Sequence, residues 1–220
     1  MGKMHALMIV ATAFCLLLGS SCAPEVKDHL TICCAGDSIM RPVPYHLRSL
    51  LSGSKHEVEI KEWAQGGLTS ESYKSFFARR FPNWKKTRSD FILLQLGTND
   101  VFPLLERRYT LLQFKENMSS IIKEFKKFKG IKNKHPRILI ASVPLFCFQI
   151  ASPARNSLVE NEINPAIQEI AQREKAIFVD NYSVLHNRCD LYDPDGVHPN
   201  QEGEIALARN WLFSIRRELR

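Results

Sequence analysis

Two periodicities alternate along the chain. Short runs at 30–35, 91–96, 137–143 and 176–180 are mostly apolar, as expected for strands covered on both faces of a parallel sheet. Segment 57–63 instead sets Val58 and Ile60 between charged residues, the mark of a half-buried strand. Between these runs the apolar spacing turns helical. It predicts helices over 42–52, closed by Gly53, over 72–80 after a glycine turn, and over 111–129, stopped by Gly130. Further helices follow over 158–174, kinked at Pro165, and over 201–219. Segments 144–155 and 181–200 read as loops, the first rich in apolar residues. Strands alternating with helices imply an α/β fold with a parallel sheet covered on both faces.

The first residues break this pattern. Lys3 precedes an apolar run over 6–19, interrupted only by Thr12 and too short for a comfortable transmembrane helix. It fits the core of a secretory signal, so residues 1–21 are expected to be a signal peptide and 22–220 a single domain. The segment Leu18-Gly19-Ser20-Ser21-Cys22 resembles a bacterial lipoprotein cleavage box, with Gly19 where Leu is usual. Two outcomes stay open: lipidation of Cys22 with membrane anchoring, or ordinary cleavage after Ser21. Either gives an exported protein, periplasmic or membrane-anchored in a bacterium.

A chain of 220 residues, 45% hydrophobic and 24% charged, is ordinary for one soluble globular domain. The net charge is +7, and much of the excess lies in 115–137, where Phe114, Met118, Ile121, Ile122, Phe125 and Phe128 recur at helical spacing beneath a lysine-rich face. Such a face is usually just solvated; an anionic membrane or an acidic glycan are the alternatives. No nucleic-acid motif accompanies it. Cys33 and Cys34 fall in a buried strand and Cys147 just beyond another, so all three read as core thiols, with Cys189 undecided. No metal-ligand spacing stands out.

The candidate chemistry lies where the strands end. Gly36-Asp37-Ser38, Gly66-Gly67 and Gly97-Thr98-Asn99-Asp100 each follow a strand, and in a parallel sheet those ends share one edge. Asp195-Gly196-Val197-His198 comes from a late loop that can return to it. A hydroxyl, an imidazole and a carboxylate are the parts of nucleophilic acyl transfer. Three-residue spacing lets Asp195 reach Nδ1 of His198 while Nε2 faces Ser38. A glycine N–H at Gly67 and the Asn99 amide can face a developing oxyanion. Any one of these segments is a common turn, and the order of all of them is the signal. No Gly-x-Ser-x-Gly elbow surrounds Ser38, which argues against a standard α/β-hydrolase.

These four blocks resemble those of the SGNH hydrolases, also called GDSL esterases and lipases, across the mature chain and in the family's order. The resemblance implies a flavodoxin-like three-layer α/β/α fold with Ser38 as nucleophile, His198 as base and Asp195 orienting it. It also implies an oxyanion hole from the Ser38 N–H, Gly67 and Asn99. The second block departs from the family pattern, because no Asn stands between Lys61 and Gly66. That leaves Gly66 or Gly67 as the donor; Gly67 is preferred because Leu68-Thr69-Ser70 follows it. The implied activity is an exported serine esterase acting on acyl or O-acetyl esters of lipid or carbohydrate, without a cofactor or metal. An acyltransferase and a non-catalytic surface-binding lipoprotein are the alternatives. Phe102, Leu104, Leu105, Phe146, Phe148 and Ile150 lie in loops expected near the site, either walling it for an apolar acyl group or packing the loops. Oligomeric state is not legible.

Overall fold

The computed structural model of the protein describes residues 29–219. The expected signal peptide, residues 1–21, and Cys22 lie outside the described residues. The first half contains β1 (His29–Gly36), α1 (Val43–Leu51), β2 (Glu57–Ala64), α2 (Ser70–Trp84), β3 (Phe91–Gln95), α3 (Val101–Leu105) and α4 (Leu111–Phe125). The second half contains β4 (Arg137–Ala141), α5 (Pro153–Leu158), α6 (Asn164–Arg173), β5 (Ile177–Val179), α7 (Asn181–Leu185) and α8 (Gln201–Glu218).

The strands form one sheet in the order β2-β1-β3-β4-β5, every neighbouring pair parallel. Ala35 of β1 pairs with Trp63 on one side and Leu94 on the other. β1 lies in the sheet's interior, with β2 added on one flank and β3 on the other. Crossovers therefore diverge between β1 and β3, which opens a crevice at the carboxyl ends of those two strands.

Alternation along β1 sets the layers. Ile32 and Cys34 face Leu47 of α1 and Trp211 and Ile215 of α8, in one core cluster. Cys33 and Ala35 belong to the other cluster, with Phe77 of α2, Met118 of α4 and Ile167 of α6. Both faces are closed, so the three-layer arrangement read from the apolar runs is the one observed. Helix starts follow local chemistry: Thr69 and Ser72 form a reciprocal capping box at α2, as do Thr110 and Gln113 at α4. Asn200 caps α8 by accepting from the N–H groups of Glu202 and Gly203.

The structure corrects several sequence expectations. Cys147 is not a core thiol: it is disulfide-bonded to Cys189, with Cα atoms 5.6 Å apart. The apolar loop after β4 turns outward through a 3₁₀ segment, Phe148–Ile150, and meets a second one, Cys189–Leu191. Cys33 and Cys34 are free and buried, as expected. The 158–174 helix is not simply kinked at Pro165. α5, a π-helical turn (Val159–Ile163) and α6 run in succession, and Pro165 sits in the first turn of α6, where its missing N–H costs little. α2 continues past Pro82 to Trp84, because Trp84 stacks on Trp63 with ring centroids 4.6 Å apart.

Candidate active site

Ser38 owes its position to the turn that ends β1. Gly36 holds φ +144°, and a Cβ there would stand 2.0 Å from the Gln95 carbonyl oxygen, so only glycine lets β1 press this closely on β3. The Asp37 N–H then donates to that carbonyl at 3.1 Å, and Asp37 Oδ1 accepts from the Ile39 N–H at 3.0 Å. This tight loop turns Asp37 inward and leaves Ser38 half-buried at the surface. Burial pushes the Asp37 carboxyl up to about 8, with the nearby Asp100 carboxylate acting in the same direction. Asp37 is therefore largely protonated at neutral pH, and its Oδ2 is buried with no hydrogen-bond partner among the described residues.

His198 Nε2 lies 2.9 Å from Ser38 Oγ, and its Nδ1 lies 2.6 Å from Asp195 Oδ2. The other Asp195 oxygen accepts the Val197 N–H at 2.8 Å and the His198 N–H at 2.9 Å, locking the carboxylate under the ring. Partial burial alone would raise the Asp195 carboxyl, but the bonds from His198 and Val197 outweigh it and hold it below the usual carboxylate range. Gly196, at φ +68°, makes the turn between the two residues.

The donor side is built from the β2–α2 and β3–α3 connections. Asn99 donates from Nδ2 to the Leu68 carbonyl at 3.1 Å, which fixes the amide beside the Gly66-Gly67 turn. A Cβ on Gly66 would stand 3.6 Å from Ser38 Cβ, whereas one on Gly67 would meet open space. Asp100 does something the sequence did not reveal. It occupies the N-cap position of α3 without capping it. Its carboxylate instead accepts the Ser70 N–H at 2.9 and 3.0 Å, the Ser70 hydroxyl at 2.6 Å, and the Tyr109 hydroxyl. Burial raises its pKa against these bonds. Asp100 thus ties the start of α2, and with it the glycine turn, to the end of β3. Its place directly after Asn99 was the only available hint.

A cleft of about 470 Å³ opens at Ser38 and His198. Arg41, Glu62, Asp193 and Glu204 line it, together with prolines 42, 44 and 199. None of the six apolar loop residues named from the sequence is among its lining. Phe146 is buried and Phe102, Leu104 and Ile150 pack onto the same core, while Leu105 and Phe148 are exposed. Of the two readings of those residues, packing the loops is the one observed for most of them.

The sequence matches the model of the GDSL-like Lipase/Acylhydrolase family over residues 27–204. The chain belongs to that family. Among curated proteins, this GDSL-like chain is 25% identical over 220 residues to an acetylxylan esterase of Xylanibacter ruminicola, covering 88% of this chain and 44% of that protein. It is also 25% identical over 175 residues to an uncharacterized esterase of Bacillus subtilis, covering 74% of this chain and 44% of the relative. The chain therefore spans less than half the length of the curated relatives it matches.

Among solved structures it resembles a lipase/acylhydrolase from Enterococcus faecalis, with TM-score 0.70 and 20% identity, over 86% of this chain and 96% of that one. It also resembles an acetylxylan esterase from Geobacillus stearothermophilus, with TM-score 0.65 and 17% identity, over 86% and 94% of the two chains. These likenesses show the GDSL-type fold. Within it, the five positions named from sequence, Ser38, Gly67, Asn99, Asp195 and His198, gather at one end of β1 and β3.

Proposed function

We propose that the chain is a serine esterase that removes short acyl groups, acetyl above all, from hydroxylated carbohydrate. The observation that carries the chemistry is the Ser38–His198–Asp195 relay, with hydrogen bonds of 2.9 and 2.6 Å. Its order of contacts suits one division of labour. His198 Nε2 takes the Ser38 proton as Oγ attacks the ester carbonyl, and then gives it to the leaving alkoxide. Water repeats the cycle on the acyl–Ser38 ester. Asp195, kept ionised by its bonds, holds the tautomer in which Nε2 is free to accept. The Ser38 and Gly67 N–H groups and the second Asn99 N–H receive the oxyanion, each worth about 3 kcal/mol in comparable sites.

Two things support the substrate class. Two of the four relatives above, from Xylanibacter ruminicola and Geobacillus stearothermophilus, are named acetylxylan esterases, and the cleft beside Ser38 is lined by Arg41, Glu62, Asp193 and Glu204 rather than by an apolar tunnel for a long acyl chain. The test is a panel of acetylated xylooligosaccharides and nitrophenyl esters from acetyl to long chains, with wild type and Ser38→Ala. Acetyl release is expected from wild type alone. Activity surviving in Ser38→Ala would overturn the triad; preference for long acyl chains would overturn the substrate class. The same reading takes residues 1–21 as a leader removed on export, so mass spectrometry of the mature protein should find Cys22 first.

A further inference from the structure

The two ends of the sheet carry opposite charge. Segments 52–57, 85–90, 126–137, 174–176 and 216–219 meet at the amino ends of the strands, and together they hold thirteen Lys or Arg against four Asp or Glu. Segments 37–42, 65–69, 96–110, 142–152 and 180–200 form the end that carries Ser38, with four Arg against seven acids. The amino end alone accounts for more positive charge than the +7 of the whole chain.

This basic face is only partly neutralised. Its ion pairs include Lys126–Glu174 at 3.0 Å and Arg137–Glu218 at 3.8 Å. Lys55, Lys85, Lys86, Lys134, Lys175 and Arg216 are exposed, and their side chains make no hydrogen bond or ion pair with the described residues. Leu30, Ile131 and the exposed Leu219 line a hollow of about 260 Å³ with Lys132, Lys134 and Arg137 against Asp90 and Glu218. Cations rimming apolar side chains suit the headgroup zone of a bilayer.

We infer that this face docks on an anionic lipid bilayer, with the Ser38 site presented on the far side. What selects a bilayer over an acidic glycan is where the chain enters the fold. β1, between β2 and β3, begins on the basic face, where His29 shares the hollow with Lys134 and Arg137, and Cys22 precedes His29 by seven residues, a reach of at most about 25 Å. A membrane attachment at the N-terminal segment therefore enters the fold on this face and leaves it nearer the lipid than the site end. The eight residues of β1 put the site end about 26 Å away, beyond a Debye length of about 8 Å. Its acidic balance would also be repelled by the same surface. The docking does not depend on the esterase reading.

The test uses the Cys22→Ser chain as an expressing bacterium matures it, co-sedimented with phosphatidylcholine vesicles with and without phosphatidylglycerol. Binding should tighten roughly tenfold or more with the anionic lipid and weaken with salt. Lys86→Gln/Lys134→Gln/Arg216→Gln should abolish most of that gain. Arg107→Gln/Arg108→Gln/Arg188→Gln, which removes the same charge from the other end, should keep it. Equal losses in both triple variants, no gain from anionic lipid, or capture by polygalacturonate but not by vesicles would each overturn the inference.

Discussion

Cys147 and Gly196 meet backbone to backbone. The Cys147 N–H donates to the Gly196 carbonyl at 2.8 Å, and a Cβ at Gly196 would stand 1.9 Å from the Cys147 carbonyl oxygen. The turn carrying Asp195 and His198 is thereby seated on the loop after β4. Gly196→Ala adds that clash to a left-handed φ of +68°, so the turn must move. Stability should fall by about 1–3 kcal/mol in thermal unfolding. Displacement of His198 from Ser38 should lower kcat/KM by roughly 10²-fold. A fully active Gly196→Ala enzyme would show that the turn is not held by this contact.

The disulfide reinforces the same seat, because Cys189 lies just ahead of the turn. Cys147 and Cys189 are separated by 42 residues, and the chain-entropy account of such a loop gives about 4 kcal/mol. Cys189→Ser should lower the melting temperature accordingly and reduce kcat. A thiol reductant should reproduce both effects in wild type and have little effect on the variant.

The oxyanion donor and the orienting carboxylate separate by size of effect and by pH. Asn99 does not titrate, so Asn99→Ala should lower kcat by about 10²–10³-fold and leave the acid limb of the rate profile in place. Asp195→Asn favours the wrong imidazole tautomer, a loss of about 10⁴-fold in serine proteases. An acid limb that moved in Asn99→Ala would remove Asn99 from the role assigned to it.

Asp37 ties stability to pH in the direction opposite to most carboxylates. Its folded-state pKa, about 8, lies above the unfolded value, so folding takes up a proton between the two. Its contribution is complete below the unfolded pKa near 4 and is lost as pH rises toward 8. Asp37→Asn, whose Oδ1 can still accept from Ile39, should flatten the decline in melting temperature between pH 5 and pH 8. A decline as steep as in wild type would mean another group is responsible.

Much of this architecture was legible because it rests on local rules. Apolar runs placed four strands and the alternation of Val58 and Ile60 with charges placed β2, all to within two residues at either end, since strands covered on both faces admit almost no polar residue and a half-covered one admits them at every second position. The turns after β1 and β3 pointed to Ser38 and Asn99, since polar, glycine-containing turns concentrate where parallel strands end. The helices α3, α5 and α7 escaped notice because each is only five or six residues long, less than two turns of any periodic signal. The six apolar loop residues could be assigned to neither wall nor packing until the fold showed where the loops lie.

The sequence by itself determined the α/β class, the strand ends that carry Ser38, Gly67 and Asn99, and the Asp195–His198 pair, whose spacing lets one turn connect both. It could not pair Cys147 with Cys189, turn Asp100 away from α3 and toward Ser70, or place Gly196 against Cys147. Each of those joins residues tens of positions apart, and the Gly196–Cys147 contact depends besides on two loops being folded. Such contacts have no periodicity and no local energy to betray them. They exist only once the closed sheet has brought the loops to one edge, and they determine whether the relay is held in register.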